Sequence, residues 1–390
     1  MARVLYCAKL LINGTGTPPI EDAAICVEGD RIASVGRRSD YGSGFEGSRV
    51  DLGAQTILPG LIDCHNHLCL DASIPDWPAG FDVGDIELTL RAVRNMAVDL
   101  QAGITTARCV GDRSFVDVHC KQAVASGGVP GPALMIATRG IRAPQGHGLI
   151  GYPFDGVETI RRVVRENIAA GADVIKLFLT GTVPMDPIVC YPSREEIEAA
   201  LDEAHRAGLP ITAHCIGGTG FDLCLELGFD CLEHGYFLTD EQIERLSRSK
   251  TRLVLTPSPY LSAEWQSTLT EQLAGGFRSG REAAFRSMAA VIRSGARYAV
   301  GTDGLHGRLA QDVGYLVDMG ASPADALAAA TSRAAEVCGL DRQVGTLAPG
   351  KFADLVGVHG NPLTDTAALN RVQAVVARGK VISLGDHGRA

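Results

Sequence analysis

The sequence contains no apolar stretch of membrane-spanning length, no Lys/Arg run of the kind that tracks a nucleic-acid backbone, and no CxxC pair. The first absence excludes a spanning helix. The second, with a net charge of −9 and a pI near 5.6, argues against nucleic acid or an anionic membrane surface as a partner. The third leaves eleven scattered cysteines, an odd number, which read as reduced thiols rather than a disulfide frame. Met1 to Gly14 lacks the basic start, long apolar segment and small-residue cleavage site of a secretion signal, so a cytoplasmic protein is expected. Asn13-Gly14-Thr15 is then a chance match to a glycosylation triplet. There is no GxxxxGK[ST] loop, HExxH pair or GxSxG elbow, and Gly217-Gly218-Thr219-Gly220 lacks the spacing and setting of a dinucleotide fingerprint. Internal repeats and low-complexity linkers are also missing.

What is present is a chain of 390 residues, 46% hydrophobic, enough for one large domain and an accessory one. Short strand patterns occupy the first part: Arg3–Tyr6, Ala24–Glu28 and Arg31–Val35, the last two joined by the hairpin signal Glu28-Gly29-Asp30. Residues 353–358 and 372–382 have the same texture. Neither end can bury both faces of such strands alone, so residues 1–58 and 343–390 are predicted to form one small β-sandwich. Between them, residues 59–342 alternate apolar runs with helical periodicity. Strands are expected near 61–66, 104–109, 133–138, 173–179, 210–215, 229–234, 252–256 and 298–302, with helices such as Arg194–Ala207 and Arg281–Ser294 between them. Eight strand-helix units over this length predict an α/β fold, a distorted (β/α)8 TIM barrel. Periodicity alone leaves an open doubly wound sheet as the alternative.

Polar residues interrupt these apolar strands near their C-terminal ends, where barrel enzymes place chemistry. His65 and His67 are two apart on the first strand and face the same way. Lys176 lies on the fourth, His214 on the fifth, His234 on the sixth and Asp303 after the eighth. Each alone has a structural reading: a hydrogen-bonded histidine, a helix-capping aspartate. Together they form a ligand set for two divalent metal ions, with His65, His67 and Asp303 on one and His214 and His234 on the other. Lys176, flanked by Ile175 and Leu177, should be desolvated, which lowers its pKa. A neutral amine can add carbon dioxide, and the resulting N6-carboxylysine would bridge the two ions. A pair of cations activates water near neutral pH and clamps the attacked group. Asp303 is then placed to act as general base and to protonate the leaving nitrogen. Imidazole with carboxylate-type oxygen suits zinc, and also iron, cobalt or manganese.

These residues resemble the amidohydrolase superfamily over nearly the whole chain. The stretch from Asp51-Leu52-Gly53 through Pro59-Gly60-Leu61-Ile62-Asp63-Cys64-His65-Asn66-His67 is similar to its first signature, and Gly103-Ile104-Thr105-Thr106 to its second strand. Ser322–Leu327 and Gly345–Leu355 are similar to its return into the β-sandwich. Within the family the chain resembles the branch related to imidazolonepropionase that contains Xaa-Pro and Xaa-Arg dipeptidases. The resemblance implies a metal-dependent hydrolase and makes His147, in Gln145-Gly146-His147-Gly148, a catalytic group that contacts substrate or polarises its carbonyl. The dipeptidases have a His-Ala-Tyr-like segment after strand five; this chain has His214-Cys215-Ile216. Related deaminases place a glutamate where Gly217 stands. The first departure sets the chain apart from the dipeptidases in specificity; the second, with Lys176 pointing to two metals, disfavours ring deamination.

The expectation is a binuclear hydrolase that cleaves an amide-type C–N bond, favouring bonds other than peptide bonds. The substrate would be a small molecule: dipeptide-like, an N-acyl amino acid or a cyclic amide. Arg139 and Arg142 follow strand three and are candidates to hold a substrate carboxylate. Tyr236 and His306 are candidates for the mouth of the site, and Trp77 and Trp265 could cover an apolar substrate. The alternatives are a mononuclear deaminase or cyclic-amidine hydrolase with Lys176 unmodified, and a non-catalytic scaffold on the same fold. A homo-oligomer is left open.

Overall fold

The structure, a computed structural model, describes residues 3–52 and 56–384. Gly53 of the opening motif and residues 385–390 of the carboxy-terminal segment lie outside the described residues. Eight parallel strands recur with helices between them: β1 (Leu61–Asn66), β2 (Ile104–Cys109), β3 (Ala133–Ile136), β4 (Ile175–Phe178), β5 (Ile211–Gly217), β6 (Cys231–Phe237), β7 (Arg252–Leu255) and β8 (Tyr298–Val300). Every predicted strand is present, with ends shifted by a few residues. Helix starts follow local chemistry. Ser193 and Glu196 form a capping box before Arg194–Arg206, and Thr239 and Gln242 form one before Asp240–Arg248. The helix predicted over Arg281–Ser294 begins ten residues earlier, at Glu271. Gly275-Gly276 disguises that start. The glycines earn their place by close approach: a Cβ on Gly276 would lie 2.8 Å from Val183, and one on Gly280 2.6 Å from Tyr260.

The parallel strands form two sheets: β1–β2–β3, and β4 through β8 extended beyond β4 by Ile141–Arg142 and Tyr152–Pro153. The arrangement is TIM-barrel-like, with the ladder interrupted at two seams. At one, β3 ends at Ile136 and Thr138 takes φ +61°, so Ile141–Arg142 pairs with β4 in its stead. Asp173 N still donates to the Ile136 carbonyl across the gap (2.8 Å). At the other, between β8 and β1, Asp303 N donates to the His65 carbonyl (2.9 Å). The strands carry continuous apolar faces, and Leu61, Ile104, Ile175, Ile211, Leu232, Leu253 and Val300 share one buried cluster with the surrounding helices.

The terminal strands come from both ends, as expected, and the hairpin at Gly29-Asp30 pairs Glu28 with Arg31. They make a single eight-stranded mixed sheet rather than two separately bonded sheets. The link is Leu10-Leu11, which pairs with Thr56-Ile57, while Thr56–Pro59 pairs on its other side with Leu355–Val358. Tyr6, Leu11, Ile25, Ile57, Leu355 and Val376 from both halves bury one common core. Among the described residues no helix is long and apolar enough to cross a membrane.

Candidate metal centre

The end of β1 is fixed by an aspartate. The buried Asp63 carboxylate accepts from His65 N (3.0 Å), Asn66 Nδ2 (2.9 Å), Thr302 N (3.0 Å) and Thr302 Oγ1 (2.7 Å). This ties the histidine pair to the residue preceding Asp303. The two segments can meet only because position 301 is glycine: a Cβ there would lie 2.4 Å from His65 N. Gly301→Ala is therefore expected to destabilise the protein by about 1–3 kcal/mol through overpacking and to lower bound metal, read by thermal unfolding and elemental analysis. Unaltered values for both would show that β1 can retreat freely.

The rings then assemble. His65 Nε2 and His67 Nε2 lie 3.3 Å apart, and Asp303 Oδ1 lies 3.3 Å from the first and 3.6 Å from the second. Their other nitrogens decide what faces inward. His67 Nδ1 is 2.7 Å from the Gly111 carbonyl and must donate to it; His65 Nδ1 is 2.8 Å from the Glu233 carboxylate. With each Nδ1 engaged, both Nε2 atoms turn towards each other and towards the Asp303 carboxylate, so three potential ligand atoms converge on one point. A cation among them, a proton or a metal ion, would satisfy all three. His214 Nε2 donates to the Gly181 carbonyl (2.9 Å), freeing its Nδ1, and His234 Nδ1 meets Thr256 Oγ1 (2.7 Å). The His214 ring centroid is 4.5 Å from that of His234, which is 4.6 Å from that of His65. His65, His234 and Asp303 each offer one ligand atom within 4.8 Å of the others.

Burial keeps the His67, His214 and His234 imidazoles neutral, the state in which a histidine can bind a metal. It drives His67 down to about 3 and holds His214 and His234 well below the ordinary histidine range. Burial alone would push Asp303 up; the surrounding His65, His234 and His67 instead hold it well below the usual carboxylate value. Lys176 is fully buried, and its Nζ has no hydrogen-bond partner among the described residues. The Phe178 ring lies 4.8 Å from it. Desolvation pulls the amine down to about 8 against the opposing charges of Glu233 and Asp303. An orphaned amine of that basicity, beside the neutral rings of His67, His214 and His234, fits a group that gains a carboxylate and a cation.

Sequence reading overlooked the support for His65. Glu233 accepts from His65 through Oε2 and from Arg108 Nη2 through Oε1 (2.6 Å), with Thr212 Oγ1 as a further donor. Arg108 Nε in turn donates to the Cys64 carbonyl (2.7 Å). Burial would raise the Glu233 pKa, but Arg108 and His65 outweigh it and keep the carboxyl well below its usual range. The available signal was a glutamate inside an apolar strand, which is rarely buried without a partner. Backbone strain also marks the centre: His234 and Asp303 both have positive φ, +77° and +57°.

Residues 56–382 match the model of the amidohydrolase family. The chain belongs to that family. Ochratoxinase from Aspergillus niger is 27% identical over 95% of this chain and 84% of its own length. An imidazolonepropionase from Paracoccus denitrificans is 26% identical over 93% of this chain and 95% of its own. The crystal structure of a Xaa-Pro dipeptidase with methionine bound in its active site superposes with a TM-score of 0.86 at 25% identity, covering 98% of this chain and all of that one.

In this amidohydrolase the histidine cluster forms the floor of a cavity. His67, His147, His214, His234 and Asp303 line it, with Trp77, Phe81, Trp265 and Phe277 among the apolar walls. His147 is joined to the cluster through His214 (centroids 4.6 Å apart), and burial lowers its pKa to about 4. The other proposed substrate contacts are not on the cavity wall. Arg139 is taken by Glu166 (2.7 Å) and Asn167 (3.2 Å) and covers Phe115. Arg142 Nη1 donates to the carbonyls of Ala143, Pro144 and Gly146, pinning its own loop. Tyr236 stacks behind His234 with its hydroxyl on Thr256, and His306 sits behind His67, bonded to Asp99 (2.8 Å) and the His67 carbonyl (3.2 Å). These two pack behind the rings of the cluster and do not line the cavity. Ile216, at the dipeptidase tyrosine position, is buried off the cavity.

Proposed function

We propose that this amidohydrolase is a binuclear metal-dependent hydrolase that cleaves an amide-type C–N bond of a small molecule, with bonds other than peptide bonds favoured. The observation that carries the reading is the pair of Nε2 atoms of His65 and His67, 3.3 Å apart and facing Asp303. His65, His67 and Asp303 would hold one ion, His214 and His234 the other, and Lys176, carried as N6-carboxylysine, would span them. Divalent ions, zinc by ligand type, supply Lewis acidity to the attacked carbonyl and lower the pKa of water. Asp303 takes the proton of the attacking water and delivers it to the leaving nitrogen. His147, neutral at working pH, donates a hydrogen bond to the carbonyl oxygen as charge develops there. The two parallel sheets act as one distorted (β/α)8 barrel over residues 59–342, with residues 1–58 and 343–390 as a flanking sandwich-like unit. Dipeptide-like amides, N-acyl amino acids and cyclic amides are the substrates to compare.

A one-ion reading has its own support, since His65, His234 and Asp303 form the tightest triad. Metal analysis of the purified protein separates the two: about two ions per chain or one. Lys176→Ala gives the sharper test. It is expected to lose most activity and one of two bound ions, and bicarbonate should accelerate reconstitution of wild type but not of the variant. Full activity with two ions retained in Lys176→Ala would remove the bridging role.

A further inference from the structure

We infer that the cavity selects uncharged amides bearing an aromatic group, and discriminates against those carrying a free carboxylate next to the scissile bond. The inference rests on the amide-hydrolase reading above and concerns the part of the site away from the ligands.

The wall is built before any substrate arrives. Trp77 lies in the loop that follows β1 and Trp265 in the short helix Ala263–Gln266 after β7. Trp265 Nε1 donates to the Ala72 carbonyl (3.1 Å), and Thr270 N donates to the Pro75 carbonyl (3.1 Å). Two segments far apart in sequence are thereby tied into one face. Phe81 meets the Trp77 ring edge-on (6.3 Å, 84°), and Phe277 backs Trp265 at 5.5 Å. Locked rings of this kind give a large contact area at little entropic cost and favour aromatic partners. Trp77 Nε1 is shielded from solvent and has no acceptor among the described residues, so an uncharged acceptor on the ligand would recover a hydrogen bond that the free protein forgoes.

No arginine or lysine stands among the described residues that line the cavity. The two loop arginines able in principle to hold a carboxylate are committed elsewhere, Arg139 to Glu166 and Arg142 to its loop carbonyls. Arg113, which follows the end of β2, donates to the Leu149 carbonyl. A carboxylate pressed against Trp77, Trp265 and Phe277 would lose its water with a single indole N–H, that of Trp77, and no cationic side chain to replace it, a cost that selects against it. Neutral aromatic amides carry no such cost.

The chain contains two tryptophans, and both line this cavity, so their fluorescence reports occupancy without any need for turnover. The matched probes are N-(2-phenylethyl)benzamide and N-benzoylphenylalanine, which differ by the carboxylate alone, with N-methylacetamide as a small aliphatic control. Titration of the metal-loaded enzyme at pH 7.5 is expected to show the neutral aromatic amide binding at least about tenfold more tightly than the acid. Trp265→Ala should reduce the affinity for both aromatic probes and leave the metal content unchanged. Equal or tighter binding of the acid, or binding of N-methylacetamide as tight as that of the aromatic amide, would overturn the inference. Turnover of the same probes is scored separately. Selective binding of the neutral amide without cleavage of any probe removes the hydrolytic reading and leaves the selectivity standing. Faster cleavage of the acid supports hydrolysis and removes the selectivity.

Discussion

Asp303→Asn is expected to lower kcat by between about 10²- and 10⁴-fold, the range for loss of a positioned general base, while the protein stays folded. The geometry separates the two effects. Asp303 is held at φ +57° by its N–H bond to the His65 carbonyl (2.9 Å) and by the Asp63–Thr302 contacts beside it. Asparagine adopts left-handed backbone as readily as aspartate and keeps one oxygen for a cation, so backbone and ring positions persist. What disappears is the carboxylate 3.3 Å from His65 Nε2 and 3.6 Å from His67 Nε2, the group proposed to accept the proton of water and return it to nitrogen. Steady-state kinetics beside metal content and a thermal melt check this. A fall in kcat with a little-changed KM fits the role; near-normal rates exclude Asp303 from the chemistry.

The strands, and the polar side chains that gather at their ends, are legible because each is a local signal: an apolar run of strand length closed by a residue that such a run does not otherwise tolerate. Lys176 between Ile175 and Leu177 is the clearest instance, and its orphaned Nζ confirms the burial the pattern implies. What escaped is non-local. Glu233 meets Arg108, 125 residues away, and no spacing announces that pairing. Arg139 and Arg142 look like free loop cations until Glu166 and the Gly146 carbonyl come to them in the folded chain. The single terminal sheet depends on Leu10 reaching Thr56, a register that strand propensity does not encode. Helix Glu271–Arg293 was misread at its start because the glycines that weaken its propensity are the ones that let it pack against Tyr260 and Val183.

Glu233→Gln is expected to cost about 3–5 kcal/mol of stability, because it leaves the Arg108 guanidinium charged and unpaired in the core. It should also weaken metal binding by about 10- to 100-fold, since the carboxylate that orients His65 and raises its basicity is gone. The pH dependence distinguishes this ion pair from ordinary packing. The folded-state pKa of Glu233 is depressed, so its contribution is complete above the unfolded carboxyl value and is lost only as pH falls towards the folded one. The gap between wild type and Glu233→Gln should therefore stay constant from about pH 5 to 8 and narrow below about pH 4, measured by denaturant unfolding. Stability and ligand positioning can be separated by removing both charges. Arg108→Met with Glu233→Met leaves no unpaired ion and is expected to regain much of the lost stability, yet His65 Nδ1 still lacks its acceptor. Metal affinity should remain low in this stable double variant. If affinity returns along with stability, Glu233 serves the core alone, and the orientation of His65 comes from β1 and Asp63.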